Sequence, residues 1–312
     1  MRPTASDRGF TLIEMIISLT LIGILATAAV PMLRMPITAY MESSARAKLA
    51  SNLDMVNSKL TLDFALALPN SVRVKQVGTN YLIEYLEVRA KGRYRSGASG
   101  NPAQTCPPTP GCGGSPDALE FGAAPACTET CFVTLGPLVG SAVVPNSDMV
   151  VVNPTNTIGA TGDPYANNGP GVRAIRSSLL TNTAVATANY DNGRRITMAP
   201  QDFTTGPVSK RFYVVSTPVT YVCDPIARTL TKYWNYAIAP VQPIAFAGIQ
   251  SALLATNVTA CTFRIDPAGQ MGAGGLGLGG LVTIQMSLSE TVNGDSVPLT
   301  ADLLFSAAVN DG

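Results

Sequence analysis

The sequence predicts an α+β chain in which one long N-terminal helix packs on a C-terminal antiparallel β-sheet domain with long Gly/Pro-rich loops. Three observations carry this. An apolar run from Phe10 to Leu33 flows into a stripe of apolar residues at helical spacing. After Pro69 the pattern changes to short β-branched and aromatic runs of strand length. Gly and Pro are concentrated between those runs, 22 of the 74 residues from Gly97 to Pro170, a density that disfavours helix and uninterrupted strand alike.

The helix is expected to begin at Phe10. Residues 10–33 are a run of 24 residues, apolar or small except for Glu14, the only ionisable side chain. At ~1.5 Å per residue that is enough to cross ~30 Å of hydrocarbon. Pro31 and Pro36 each remove a backbone donor, so a kink or a locally melted turn is expected there. Beyond them Ile37, Met41, Ala45, Leu49, Leu53, Val56, Leu60 and Phe64 recur at steps of four and three, with charged residues between. Residues 34–68 therefore continue as an amphipathic helix until Leu68-Pro69-Asn70 stops it.

Residues 69–312 form a β-rich globular domain in this reading. Strands are expected at Val72–Val77, Tyr81–Val88, Met149–Asn153, Arg211–Ser216, Val219–Cys223, Thr229–Tyr236, Thr259–Ile265, Leu281–Leu288 and Leu299–Val309. Asn293-Gly294 marks a type I′ hairpin turn between the last two. Residues 97–170 are expected to be a loop-rich insertion.

Composition narrows the function. There is no histidine, which removes the commonest general base and every Ser-His or Cys-His pair. No enzymatic activity and no cofactor are expected. Twenty-one basic against 20 acidic residues give a net charge of +1, with no basic run interleaved with aromatics, so no nucleic-acid partner is expected.

The densest signal lies at the start. A polar leader, residues 1–9, ends in Gly9, and the apolar run begins at once with Phe10-Thr11-Leu12-Ile13-Glu14. A secretory signal would be cut after its apolar core; cutting after Gly9 keeps the helix. A carboxylate inside a membrane span costs about 2.5 to 3.5 kcal/mol on insertion scales, so Glu14 needs a partner. Cleavage between Gly9 and Phe10 creates an amine one helical turn away, and in a bundle of identical spans that amine can meet a neighbour's Glu14. The plainer alternative is a single-pass anchor whose Glu14 sits at the headgroups or caps its own helix.

These residues resemble the type III signal sequence of type IV pilins and pseudopilins. The resemblance implies cleavage by a prepilin peptidase after Gly9, N-methylation of Phe10, a register role for Glu14, and assembly with other pilin subunits through the N-terminal helix. Arg2 and Arg8, opposed only by Asp7, place the N-terminus in the cytoplasm. The expected location is a single-pass inner-membrane protein with a periplasmic domain, later carried to the cell surface in a pilus.

Six cysteines in an oxidising compartment suggest disulfides. Cys223 and Cys261 lie in two strand-like runs and are expected to pair. Cys106, Cys112, Cys127 and Cys131 have spacings that miss a zinc knuckle, so two disulfides of open connectivity are preferred and no metal site is expected. Gly272-Ala-Gly274-Gly-Leu-Gly277 matches Gly-x-Gly-x-x-Gly but leads into a strand, so a hairpin loop is preferred to a dinucleotide loop. Asp163, Asn167, Asn168, Asp191 and Asn192 lack the alternation of a calcium loop and read as turn formers. Tyr213, Tyr221, Tyr233, Trp234 and Tyr236 read as core or sheet-face aromatics.

Lys210–Asp224, Arg228–Trp234, Asn80–Leu86 and Gly92–Arg95 resemble stretches of the O-type minor pilins of the mannose-sensitive haemagglutinin (MSHA) pilus. That resemblance implies a minor pilin, structural or assembly-priming. Two other readings stay open at this level: a pseudopilin of a type II secretion system, whose leader would look identical, and a membrane-anchored carbohydrate-binding adhesin using the loops of residues 97–170.

Overall fold

The computed structural model describes residues 10–97, 106–107, 115–121, 128–145, 147–152, 154, 164–165, 177–184, 194–203, 206, 209–266 and 281–306. An N-terminal helix followed by mainly antiparallel sheet is the architecture the sequence predicts. By internal contacts the chain divides into two compact units, residues 1–51 with 289–299, and residues 52–288 with 300–312.

Helix α1 spans Leu12–Ala65. It stays helical through Pro31 and Pro36, so of the kink or melted turn expected there the melted turn does not form. Each proline deletes only one i→i−4 hydrogen bond, and the flanking apolar turns keep enough bonds to carry the helix past it.

The strands are β1 (Arg73–Val77), β2 (Asn80–Arg93), β3 (Glu129–Val133), β4 (Val139–Gly140), β5 (Met149–Val152), β6 (Ser177–Ala184), β7 (Arg194–Gln201), β8 (Arg211–Asp224), β9 (Thr229–Trp234), β10 (Gln250–Thr256), β11 (Val258–Asp266), β12 (Leu281–Val292) and β13 (Asp295–Ser306). A ten-stranded sheet runs β1-β2-β8-β5-β6-β7-β3, with β9, β10 and β4 joined as side branches; β11-β12-β13 make a second sheet.

The 14-residue strands β2 and β8 are the spine. Along the far edge of β8, residues 212–215 pair with β5 and residues 219–224 pair with β9. Pro218 lies between these stretches, where a missing N–H forfeits no bond to either neighbour. This explains why two runs expected as separate strands, Arg211–Ser216 and Val219–Cys223, form one. The opposite edge of β2 is filled by β1, then by residues 66–68 as they leave the helix, then by β4. Backbone bonds Leu68 N–H to Leu86 O (2.8 Å) and Val88 N–H to Leu66 O (2.7 Å) fix that exit. At Gly140 of β4 a Cβ would stand 2.3 Å from Arg89 O, so only glycine fits.

Residues 97–170 are more than surface loops. They contribute β3 and β5, whose Phe132, Val150 and Val152 sit in a core with Tyr94, Ile196, Phe203 and Phe212. Phe132 meets Phe212 edge-on, centroids 5.0 Å apart. The Gly/Pro density lies in the connections and hides β3 and β4, whereas β5 falls on the expected Met149–Asn153 run. Strands β6, β7 and β10 also go beyond the sequence expectation, because Ser177–Ala184 is small and polar and Gln250–Thr256 is Ala/Leu-rich, with little β-branched signal. The expected type I′ turn is present, with φ of 52° at Asn293 and 93° at Gly294.

Cys223 of β8 and Cys261 of β11 are disulfide-bonded with Cα atoms 6.5 Å apart, joining the two sheets across a sequence separation of 38. Cys106 is bonded to Cys131 of β3; Cys112 and Cys127 lie outside the described residues. Closing the Cys223–Cys261 loop removes roughly 3 to 4 kcal/mol of unfolded-state entropy. A Cys223→Ser, Cys261→Ser double variant is expected to lose about that much stability, read as a lower urea midpoint with a steeper slope, because the unfolded chain expands once the loop is open. An unchanged midpoint would show that the bridge does not constrain the unfolded chain.

Candidate functional site

The site begins where the helix begins. Thr11 is its N-cap and Glu14 stands three residues on, a capping box in sequence and in geometry. Thr11 Oγ1 accepts from Glu14 N–H at 3.4 Å, while Thr11 N–H and Oγ1–H donate to Glu14 Oε2 at 3.5 and 3.4 Å. The acid stands out in the sequence by its charge; the threonine that holds it is legible only through the Thr-x-x-Glu spacing of a capping signature. All three bonds are longer than the ~2.7–3.2 Å of strong ones, and only one carboxylate oxygen takes part. The cap holds the Glu14 side chain at the first turn and leaves Oε1 for a further donor.

From here the helix presents apolar side chains in every direction. Phe10 is 84% exposed, and Leu12, Ile13, Met15, Ile16, Ile17, Leu19, Leu21, Ile22, Ile24 and Leu25 are all exposed too. A helix apolar all round is buried in lipid or among other helices. The hydroxyls on this run are satisfied internally: Ser18 donates to Glu14 O (2.7 Å), Thr20 to Ile17 O (2.9 Å) and Thr27 to Ile24 O (2.8 Å). None needs water, which is the condition for residence in hydrocarbon. Among the described residues, no helix is long and apolar enough to cross a membrane. The side chains of Ala28, Val30, Pro31 and Leu33, inside the expected span, fall outside that description.

Further along, α1 changes character. Leu49, Leu53, Val56, Leu60 and Phe64 are buried along that stripe, and Asp63, one position before Phe64, is buried beside it. Asp63 accepts hydrogen bonds from the Tyr221 hydroxyl and from Lys232 Nζ, with Lys59 Nζ 3.3 Å from its other oxygen. Burial raises the Asp63 carboxyl, but the bonds from Lys232 and Tyr221 and the charges of Lys232 and Lys59 outweigh it, so the net shift is downward. Phe64 beside it packs on Tyr85 and Tyr221, centroids 5.3 and 6.4 Å away. This buried acid ties residues 59–64 to β8 and β9. Its sequence signal is an ionisable residue beside an apolar stripe.

A second buried pair, Arg73 and Glu84 at 2.7 Å, joins β1 to β2. Arg73 also donates to Pro240 O and Ala239 O and lies over the Tyr165 ring. Burial lifts the Glu84 carboxyl above its ordinary value against the pull of Arg73. Every polar partner here is structural, and nothing in it approaches a nucleophile-base pair. Tyr213 and Tyr221 are buried; Tyr233, Trp234 and Tyr236 are half-buried on the sheet, with Tyr233 stacked on Phe246. No cluster of three or more metal-ligating side chains occurs among the described residues. The Gly272–Gly280 run, Gly9, and Asp163, Asn167, Asn168, Asp191 and Asn192 lie outside them.

The prokaryotic N-terminal methylation motif matches residues 4–30, which covers Gly9-Phe10, the capping box and the first turns of α1. The chain therefore carries a type IV pilin/pseudopilin signal, which implies prepilin-peptidase processing and a membrane-anchored, structural protein. No curated protein and no solved structure matches the chain.

Proposed function

We propose that this chain is a minor pilin of a type IV filament, of the MSHA type, anchored by one inner-membrane pass until it is extracted into the filament. The observation that carries the proposal is the pairing of a lone, half-satisfied acid at the first turn with an apolar, internally satisfied helix beyond it. The helix buries itself in lipid, then among the helices of other subunits, and small residues such as Gly23, where a Cβ would meet nothing, leave room for close approach. Prepilin peptidase cuts after Gly9, Phe10 is methylated, and the new amine of one subunit meets Glu14 of the next.

The MSHA-type assignment is supported by the stretches Asn80–Leu86, Lys210–Asp224 and Arg228–Trp234, which supply much of β2, β8 and β9. The minor role is supported by the size of the β-rich part, since bulky domains pack poorly along a repeating shaft. Immunogold labelling of sheared filaments tests it. Sparse or terminal grains are expected; dense labelling along the shaft would refute the minor role, and absence from filaments with retention in the membrane would favour a secretion pseudopilin.

A further inference from the structure

Strand β4 and the residues on either side of it leave an apolar strip outside the core. Residues 135–145 contain no ionisable side chain. Leu135 is 39% exposed, Val139 62% and Val144 43%. Leu138 and Val143 pack against the core instead, so one set of side chains holds the segment while the other is presented outward. The acid that anchors it, Asp148, is buried, paired with Arg89 and bonded to Val144 N–H at 2.7 Å.

A basic strip runs beside the apolar one. Val139 stands directly opposite Lys91 of β2, and Leu135 N–H bonds Arg93 O at 2.7 Å. Across β2, Arg93 stands opposite Arg211 of β8, and Lys210 precedes it with its carbonyl bonded to Tyr94 N–H at 3.0 Å. Tyr94 and Phe212 are buried in the core, so strand alternation turns Arg93, Lys91 and Arg211 to the other face. Lys91, Arg93 and Lys210 are exposed and Arg211 is half-buried. Neither residues 91–97 nor residues 209–223 include an acid. Like charges directly opposite each other, as Arg93 and Arg211 stand, destabilise a sheet.

We propose that this double strip, basic on β2 and β8 and aliphatic on residues 135–144, is a membrane-contact surface distinct from α1 that takes the phosphate headgroups of an anionic bilayer. Lys91, Arg93, Lys210 and Arg211 meet the phosphates, while Leu135, Val139 and Val144 enter the boundary between headgroups and acyl chains. The two chemistries together select this occupant. Free phosphate and duplex DNA reward the cations but not exposed aliphatic side chains beside them. Protein interfaces are enriched in aromatics, methionine and arginine and depleted in lysine. Here two of the four cations are lysines, and the large exposed apolar residues are leucine and valine. Anionic headgroups also turn the Arg93–Arg211 juxtaposition from a cost into an attraction.

The test reconstitutes the full chain in phosphatidylcholine nanodiscs, so that α1 keeps its own bilayer, with an environment-sensitive fluorescent amino acid at Val139. Vesicles of phosphatidylglycerol or of phosphatidylcholine, each carrying a spin-labelled lipid quencher, are then added. Quenching is expected with phosphatidylglycerol and not with phosphatidylcholine, and is expected to vanish at ~1 M salt, where the Debye length falls to ~3 Å. The same probe at Ile226, exposed in the β8–β9 turn, should not be quenched. A Lys91→Gln, Arg93→Gln variant should need about 30-fold more phosphatidylglycerol for half-quenching, from the loss of two cations. Equal quenching by the two lipids, equal quenching at the two probe positions, persistence in salt or an unshifted variant would each overturn the proposal. So would a photo-crosslinker at Val139 that gives a protein adduct and no lipid adduct in native membranes.

Discussion

A Glu14→Ala chain is expected to be cleaved after Gly9 as the parent is, yet to be almost absent from filaments. Removing the carboxylate improves membrane insertion, since an acid in a span costs about 2.5 to 3.5 kcal/mol. It also deletes half of the capping box, at about 1 kcal/mol or less for an exposed helix end. Neither effect should block assembly. What is lost is the counter-charge for a neighbour's N-terminal amine, which in hydrocarbon has no other anionic partner between Phe10 and Leu33. Glu14→Gln separates the roles, because the amide oxygen still caps Thr11 but carries no charge. If Glu14→Gln chains assemble as well as the parent, the acid serves its own helix and the register role fails. Immunoblots of sheared filaments against membranes provide the measurement.

The second large effect is expected at Asp63. Asp63→Ala leaves Lys232 and the Tyr221 hydroxyl buried without their acceptor, and deleting one member of a buried pair costs roughly 3 to 5 kcal/mol. Lys59, about half exposed, contributes little of this. Asp63→Asn keeps an acceptor and should cost less. The pH dependence has a definite sign. The folded-state pKa is lowered from 3.8, so the stabilisation is fully present above about pH 4 and is lost as pH falls through the lower folded value. Urea unfolding of the detergent-solubilised chain should show a fall in midpoint below pH 4 that is missing in Asp63→Ala. A variant as stable as the parent would mean that the buried acid is not what fastens the helix to the sheet.

Much of the fold is legible in the sequence where one physical demand dominates. The run after Phe10 has to be helix, the Leu49–Phe64 stripe has to face a core, and Asn293-Gly294 has to turn a hairpin because both residues need positive φ. The elements that escape a sequence reading share a cause. β3 is hidden by the Gly/Pro content around it, and β10 by residues that favour helix in isolation; both become strands through neighbours far away in sequence or through a partner strand that isolation does not reveal. The same holds for Asp63, whose partners lie 158 and 169 residues on, and for Pro218, harmless only because β8 changes neighbours around it. At the N-terminus the reverse applies. Its chemistry is local, so Gly9-Phe10 and the acid stand out from the residues alone, and the Thr11 cap is a matter of three-residue spacing.

Intact-mass and N-terminal peptide analysis of the chain from native membranes and sheared filaments bears most directly on the whole account. A mature chain beginning at N-methylated Phe10 is the expected result. A chain that still begins at Met1 in both fractions, with Phe10 unmodified inside the polypeptide, would contradict it.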